Sequence, residues 1–183
     1  HLRRKVRLHY LHGNKDNDKL RFSSELVRAL QGWHHDKEQR VFCGYGSKGK
    51  QRKAVAAECN KQNVPLKVYD GDTSDFAKQN LADTESAWGC VGESATGCVG
   101  ASSSMSIGVD PQVKFGKVLF QTSRMGCSLV SQFQQAMRWG RNQGKPLTDT
   151  TIEILVDAMS PGVRDQLVQQ KKLKPIVKPT YDG

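Results

Sequence analysis

Gln134, Arg138 and Arg141 stand at i, i+4 and i+7 within residues 128–142, SLVSQFQQAMRWGRN. If this segment is a helix, the three side chains stack on one face. Leu129, Val130, Phe133 and Met137 then form an apolar stripe on another. Two guanidiniums one turn apart, beside an amide, suit a polyanion such as the phosphates of a nucleotide, because their paired donors match phosphate oxygens. Taken alone, the same spacing also describes a solvated helix face.

Residues 102–110 offer a second chemistry. Ser102, Ser103, Ser104 and Ser106 precede Gly108, Val109, Asp110 and Pro111. Hydroxyls and backbone N–H groups in such a loop can hold a phosphodiester, and glycine allows close approach. A third candidate is the stretch from Gly44 through Gly49 and Lys50 to Gln51, which fits G-x-x-x-x-G-K between a strand and a helix. A phosphate-binding loop needs a Ser or Thr hydroxyl after its lysine to hold magnesium, and Gln51 stands there instead. Asp70 at the end of the next strand would be the matching magnesium ligand, although any strand ending in a turn offers such a group.

These residues need a scaffold, and the hydrophobic pattern supplies one. Strands are expected over residues 1–12, 40–45, 65–69, 97–102, 116–122 and 151–156. Helices are expected over 20–33, 50–62, 75–88 and 128–142, with a further one over 161–170 and a basic tail from 171. In the 75–88 helix, Phe76, Leu81, Thr84 and Trp88 are expected to face inward. Strands alternating with helices imply right-handed crossovers and a mostly parallel sheet. Ligands of such sheets bind beyond the carboxyl ends of the strands.

The chain has 183 residues and a formal charge of +10 at pH 7, enough for one domain with a real core and basic enough to favour a polyanionic partner. No apolar run reaches the length of a membrane span and no secretory h-region is present, so no membrane partner is expected. The five cysteines are odd in number and lack C-x-x-C spacing, so neither a disulfide framework nor a metal site is expected. They read as reduced thiols of an intracellular protein, nuclear or cytoplasmic. Trp33 and Trp88 are expected in the core, whereas Trp139 lies near the arginines, within reach of a purine. The chain opens on His1 rather than Met, as a fragment would, and the sequence leaves open whether it is a fragment or a complete protein.

In order and spacing the motifs resemble the second RecA-like lobe of a superfamily 2 helicase. Gln134, Arg138, Gly140 and Arg141 match its motif VI, Q-x-x-G-R-x-G-R, with Met137 where the first glycine stands. The segment from Ser102 to Asp110 resembles motif V, residues 40–48 resemble motif IV, and Asp70-Gly71-Asp72-Thr73 is similar to the H-G-D turn. The likeness covers residues 40–157 and is closest to the viral-type replication origin-binding helicases.

The resemblance implies an α/β, three-layer RecA-like fold with a mostly parallel sheet, comprising a lead-in over 1–39, the lobe over 40–160 and a tail over 161–183. It implies that ATP and magnesium are shared with a first lobe of the same polypeptide, absent from this chain. Arg141 would act as arginine finger, Arg138 would hold the γ-phosphate or the lobe contact, and Gln134 would order the pair. Asp110 and Gly108 would lie at the nucleotide. Ser102, Ser103, Gly71, Thr73 and Lys48 would follow the nucleic-acid backbone, with DNA favoured over RNA. By itself the chain is not expected to hydrolyse ATP efficiently. The alternatives are a self-contained P-loop NTPase or kinase using Lys50, and a basic nucleic-acid-binding module without a part in turnover.

Overall fold

The computed structural model describes residues 5–12, 22–46, 49–79, 81–88, 95–102, 111, 113–121, 129–139 and 151–158. Six strands, β1 (Lys5–His12), β2 (Val41–Tyr45), β3 (Leu66–Tyr69), β4 (Cys98–Ser102), β5 (Lys117–Gln121) and β6 (Thr151–Ala158), form one sheet in the order β1-β6-β5-β2-β4-β3. Every pairing is parallel. The expected mostly parallel α/β fold is therefore the observed one. The central strands β2 and β4 are buried along their whole length, as continuous apolar runs in a sheet covered on both faces should be. At the edges, Val6 and Leu8 of β1 and Lys67 of β3 meet solvent.

Alternation along each strand divides the core in two. Val41, Cys43, Tyr45, Cys98 and Leu119 face α1 (Ser23–His35) and α2 (Lys50–Lys61), which bring Leu26, Leu30, Trp33, Val55 and Cys59. Leu26, Leu30 and Trp33 follow at i, i+4 and i+7, one stripe of α1. On the opposite face Phe42, Val99, Val118, Phe120, Ile152 and Ile154 meet Trp88, Ala136 and Trp139. The result is three layers around two apolar seams. Gly44 belongs to this packing: a Cβ there would overlap the ring of Phe120 on the neighbouring strand.

Residues 75–88 are not one helix. They form α3 (Asp75–Gln79) and α4 (Thr84–Trp88), separated by a turn. The break has a local cause. Asp83 caps the second helix, its Oδ1 accepting the Ser86 N–H at 3.0 Å and its Oδ2 the Ser86 hydroxyl at 2.6 Å. Those bonds hold the Asp83 carboxyl below its ordinary range. The restart turns Trp88 into the core, where its Nε1–H donates to the Tyr69 hydroxyl at 2.8 Å, and leaves Phe76 82% exposed instead of inward. Trp33 and Trp88 are core residues as expected. The expected 161–170 helix and the tail lie outside the described residues.

Charge is also buried. Glu153, 3% exposed on β6, is met by Lys117 of β5, by Arg7 of β1 at 3.5 Å and by His9 at 3.6 Å, which pins the edge strand to the sheet. Cys43, Cys59 and Cys98 are free, buried thiols, with Cys43 and Cys98 sulfurs 3.8 Å apart. Cys43 stands opposite Gly100 and Cys98 opposite Val41, so the two are diagonal neighbours. Diagonal positions across a sheet lie about 7–8 Å apart, beyond what a disulfide bridges without backbone movement. Thiol–thiol hydrogen bonding and burial push the Cys59 and Cys98 thiols well up. Iodoacetamide at about pH 8 is therefore expected to label Cys59 and Cys98 only after unfolding, as peptide mass spectrometry would show, because the thiolate is the nucleophile, and burial shields Cys43 from the reagent as well. Labelling of the folded chain would mean that the core opens. Cys90 and Cys127 lie outside the described residues.

Candidate functional site

Parallel pairing brings the carboxyl ends of β2, β3, β4 and β5 to one edge, where Tyr45, Tyr69, Ser102 and Gln121 end their strands. Three side chains organise that edge. Gln51, 1% exposed in the first turn of α2, accepts the Gly46 N–H on its Oε1 at 3.1 Å. The backbone donor that a phosphate cradle would present at Gly46 is thus satisfied by the amide that replaced the expected hydroxyl. This geometry counts against a P-loop between Gly44 and Lys50.

Asp70, 1% exposed, pairs through Oδ2 with Arg52 Nη1 at 2.8 Å and accepts the Asp72 N–H on Oδ1 at 2.9 Å. Thr73 closes the turn: its Oγ1 accepts the Asp70 N–H at 2.8 Å, and its own N–H donates to the Asp70 carbonyl at 3.1 Å. Asp70 is therefore a turn and helix anchor, not an open magnesium ligand. The side chain of Arg52 remains 41% exposed. The first turn of α2 carries no acidic residue, and Lys50 and Lys53 are exposed on the same helix. Gly71 is exposed and Thr73 half-buried beside them. Beneath this turn the Tyr45 hydroxyl is buried with no hydrogen-bond partner among the described residues. Burial, then the Asp70 charge, pushes its phenol well up.

The third organiser is Gln135 on α5 (Leu129–Trp139), where its side chain is buried and its Nε2–H donates to the Ser102 carbonyl at 3.3 Å. This bond ties the arginine helix to the end of β4, where the Ser-rich segment begins. Ala136 and Trp139 are buried with Gln135, while Phe133 and Met137 are half-buried at the flanks of the core. Gln135, Ala136 and Trp139 are thus the buried side chains of α5, with Phe133 and Met137 of the expected stripe packed half-buried beside them; the Leu129 and Val130 side chains lie outside the described residues. Gln134 is exposed and Arg138 half-buried. Trp139 does not face outward toward a purine. It is 2% exposed, stacked on Phe42 at 4.2 Å and 13°, and it meets Phe115 edge-on at 6.0 Å.

Among the expected site residues, Gln134, Arg138, Ser102, Gly71 and Thr73 have a described place. Ser102 is buried, with 6% exposure. Arg141, Asp110, Gly108, Ser103 and Lys48 lie outside the described residues. Gln135 was not among the expected residues. Its signal was present all the same, since an amide one turn before Trp139 shares the tryptophan's face and must find a partner once buried. No group of three or more His, Cys, Asp or Glu side chains among the described residues is arranged to hold a metal ion. No described helix is long and apolar enough to cross a membrane.

No family model matches the chain, and no curated protein matches it in sequence. Solved structures do share its fold. The C-terminal part of the Fun30 ATPase domain superposes with a TM-score of 0.55 at 14% identity, over 93% of this chain and 50% of that one. The Mycobacterium smegmatis helicase Lhr, solved with single-stranded DNA and AMP-PNP, gives 0.52 at 14% identity over 97% of this chain and 23% of that one. The C-terminal domain of the DEAD-box protein Dbp5 gives 0.50 at 11% identity, over 94% of this chain and 87% of that domain. At these identities the likeness is one of fold. The chain matches RecA-like helicase domains in architecture and spans half or less of the first two proteins' chains.

Proposed function

We propose that this chain is the C-terminal motor lobe of an ATP-dependent nucleic-acid helicase or translocase. In this reading ATP and magnesium are held by a first lobe of the same polypeptide. The observation that carries it is the mounting of α5: Gln135 fixes the helix to the end of β4 while Gln134 is exposed and Arg138 half-buried. Such mounting would present an amide and a guanidinium to a ligand held outside this chain, at the strand edge where parallel sheets bind ligands. The motif resemblance adds the roles. Arg141 acts as the finger that stabilises charge on the transferred phosphoryl group, and Arg138 contacts the γ-phosphate or the opposing lobe. Gln134 orders the pair, with Asp110 and Gly108 beside the nucleotide.

On the other flank, Ser102, Ser103, Gly71, Thr73 and Lys48 follow a nucleic-acid backbone, with Lys50 and Arg52 adding attraction. The motif order favours DNA and the origin-binding type of helicase. The rival P-loop reading is weakened by Gln51, which takes the Gly46 amide. A pair of measurements separates the two. Under the lobe reading the isolated chain turns over no ATP, and Lys50→Ala leaves nucleotide affinity nearly unchanged. Turnover by the isolated chain that Lys50→Ala abolishes would replace the lobe with a self-contained NTPase.

A further inference from the structure

The two edges of the sheet are held in different ways. At one edge, β3 sets Tyr69 into the core and packs Leu66 half-buried against it. At the other, β1 pairs with β6 alone among the described strands, and none of its described side chains, Val6, Arg7, Leu8 and His9, is buried. Val6 and Leu8 are 39% and 45% exposed, so apolar burial contributes little to keeping β1 in place. What remains is the backbone ladder and a group of charges.

Those charges meet at Glu153. The register sets Arg7 directly across from Glu153, with His9 two residues further along the same face. Arg7 Nη1 lies 3.5 Å from one carboxylate oxygen, which Lys117 also reaches from β5, and His9 Nε2 lies 3.6 Å from the other. Glu25 on α1 faces the same group: the Ser24 hydroxyl first, with Arg28 and His9 as smaller causes, holds its carboxyl below the ordinary range. Glu153 is 3% exposed, whereas Arg7 and His9 are 64% and 45% exposed. The cluster thus has a fixed half, Glu153 with Lys117, and a half that departs with β1 and is open to screening by salt. Because Lys117 remains, departure of β1 does not strand Glu153 as an unpaired buried charge.

We infer that β1 is a releasable edge strand, latched to the sheet by Arg7 and His9 on Glu153 and opening independently of the other strands. Segments with little buried apolar surface open at a lower free energy than the whole domain. The latch also sets the register on reclosing. A slip of one residue would turn Val6 and Leu8 toward the Glu153 face and carry Arg7 and His9 away from it. Under the proposed function β1 belongs to the lead-in from the first lobe, and its release would lengthen the tether between the lobes. The latch itself rests on the charge cluster and not on that reading.

The test is hydrogen exchange of this chain, read by peptide mass spectrometry at about 0.05 M and about 1 M NaCl, with β2 and β4 as internal reference. In wild type the β1 amides bonded to β6 are expected to exchange about tenfold or more faster than those of β2 and β4, and about threefold faster again at the higher salt. Arg7→Gln combined with His9→Gln should quicken β1 by about fivefold at low salt, remove most of its salt dependence and leave β2 and β4 unchanged. The charge-keeping Arg7→Lys should stay close to wild type. Exchange of β1 at the rate of β2 and β4 in wild type would overturn independent opening. A β1 rate that neither salt nor the double substitution changes would overturn the latch and leave the ladder alone as what holds the strand. Quickening of β2 and β4 along with β1 in the double variant would also overturn it, since the loss would then be global.

Discussion

Under the proposed function, replacing Arg141 with Ala in a polypeptide that carries both lobes is expected to leave ATP affinity nearly unchanged and to slow turnover by about a thousandfold or more. The expectation follows from where charge develops. In phosphoryl transfer a guanidinium placed on the equatorial oxygens stabilises the transition state far more than the bound nucleotide, so kcat falls while binding survives. Arg138→Ala is expected to weaken ATP binding as well, because a γ-phosphate or lobe contact is made in the ground state too. The measurement is steady-state turnover alongside binding of a non-hydrolysable ATP analogue. Normal turnover in Arg141→Ala would remove the finger role. Equal loss of binding and turnover would make Arg141 an ordinary phosphate ligand.

Trp139→Ala should unfold much of what mounts α5 and its Arg138. Truncating a buried aromatic costs about 3–5 kcal/mol, through lost transfer energy and the cavity left behind. Trp139 sits at the centre of an aromatic cluster, parallel to Phe42 and within 5.9 Å and 6.0 Å of Trp88 and Phe115 between ring centroids. Each such ring pair adds about 0.5–1.5 kcal/mol beyond area burial. A domain of this size is marginally stable, so a loss of that size consumes a large part of its stability. The denaturation midpoint of the isolated chain reports it. Trp139→Phe keeps a ring on Phe42 and should lose far less. In the joined polypeptide Trp139→Phe should also bind ATP as wild type does. A drop in nucleotide affinity without a drop in stability would put Trp139 back at the purine.

The two arginines and this tryptophan also mark how far the chain could be read from its residues. Periodicity was enough for the strands of the parallel sheet and for α1, α2 and α5, because continuous apolar runs between helical stripes admit few arrangements. Gln51, which lacks the hydroxyl that magnesium needs, weakened the G-x-x-x-x-G-K stretch in the sequence but left it as an alternative, and the bond from the Gly46 N–H to Gln51 counts against it in the structure. Periodicity failed over residues 75–88, where one apolar stripe covered two short helices. The Asp83 cap is a four-residue local device that a helical period averages away.

The orientation of α5 could not be read from the sequence. Phe133 and Met137 outweigh Gln135 and Ala136 on any hydrophobicity scale, so the helix by itself favours burying the first pair. The fold buries the second, because Phe42 and Phe115 offer Trp139 a slot and the Ser102 carbonyl offers Gln135 a partner. Those groups come from strands remote in the chain. The sequence by itself determined the alternation of elements, the parallel sheet and the place of Arg138 on a helix. Only the tertiary structure decided which way that helix turns, that Trp139 is core, that Asp70 is spent on Arg52, and that Phe76 stands in solvent. Each of these depends on long-range neighbours competing for the same side chain, and a local pattern carries no record of that competition.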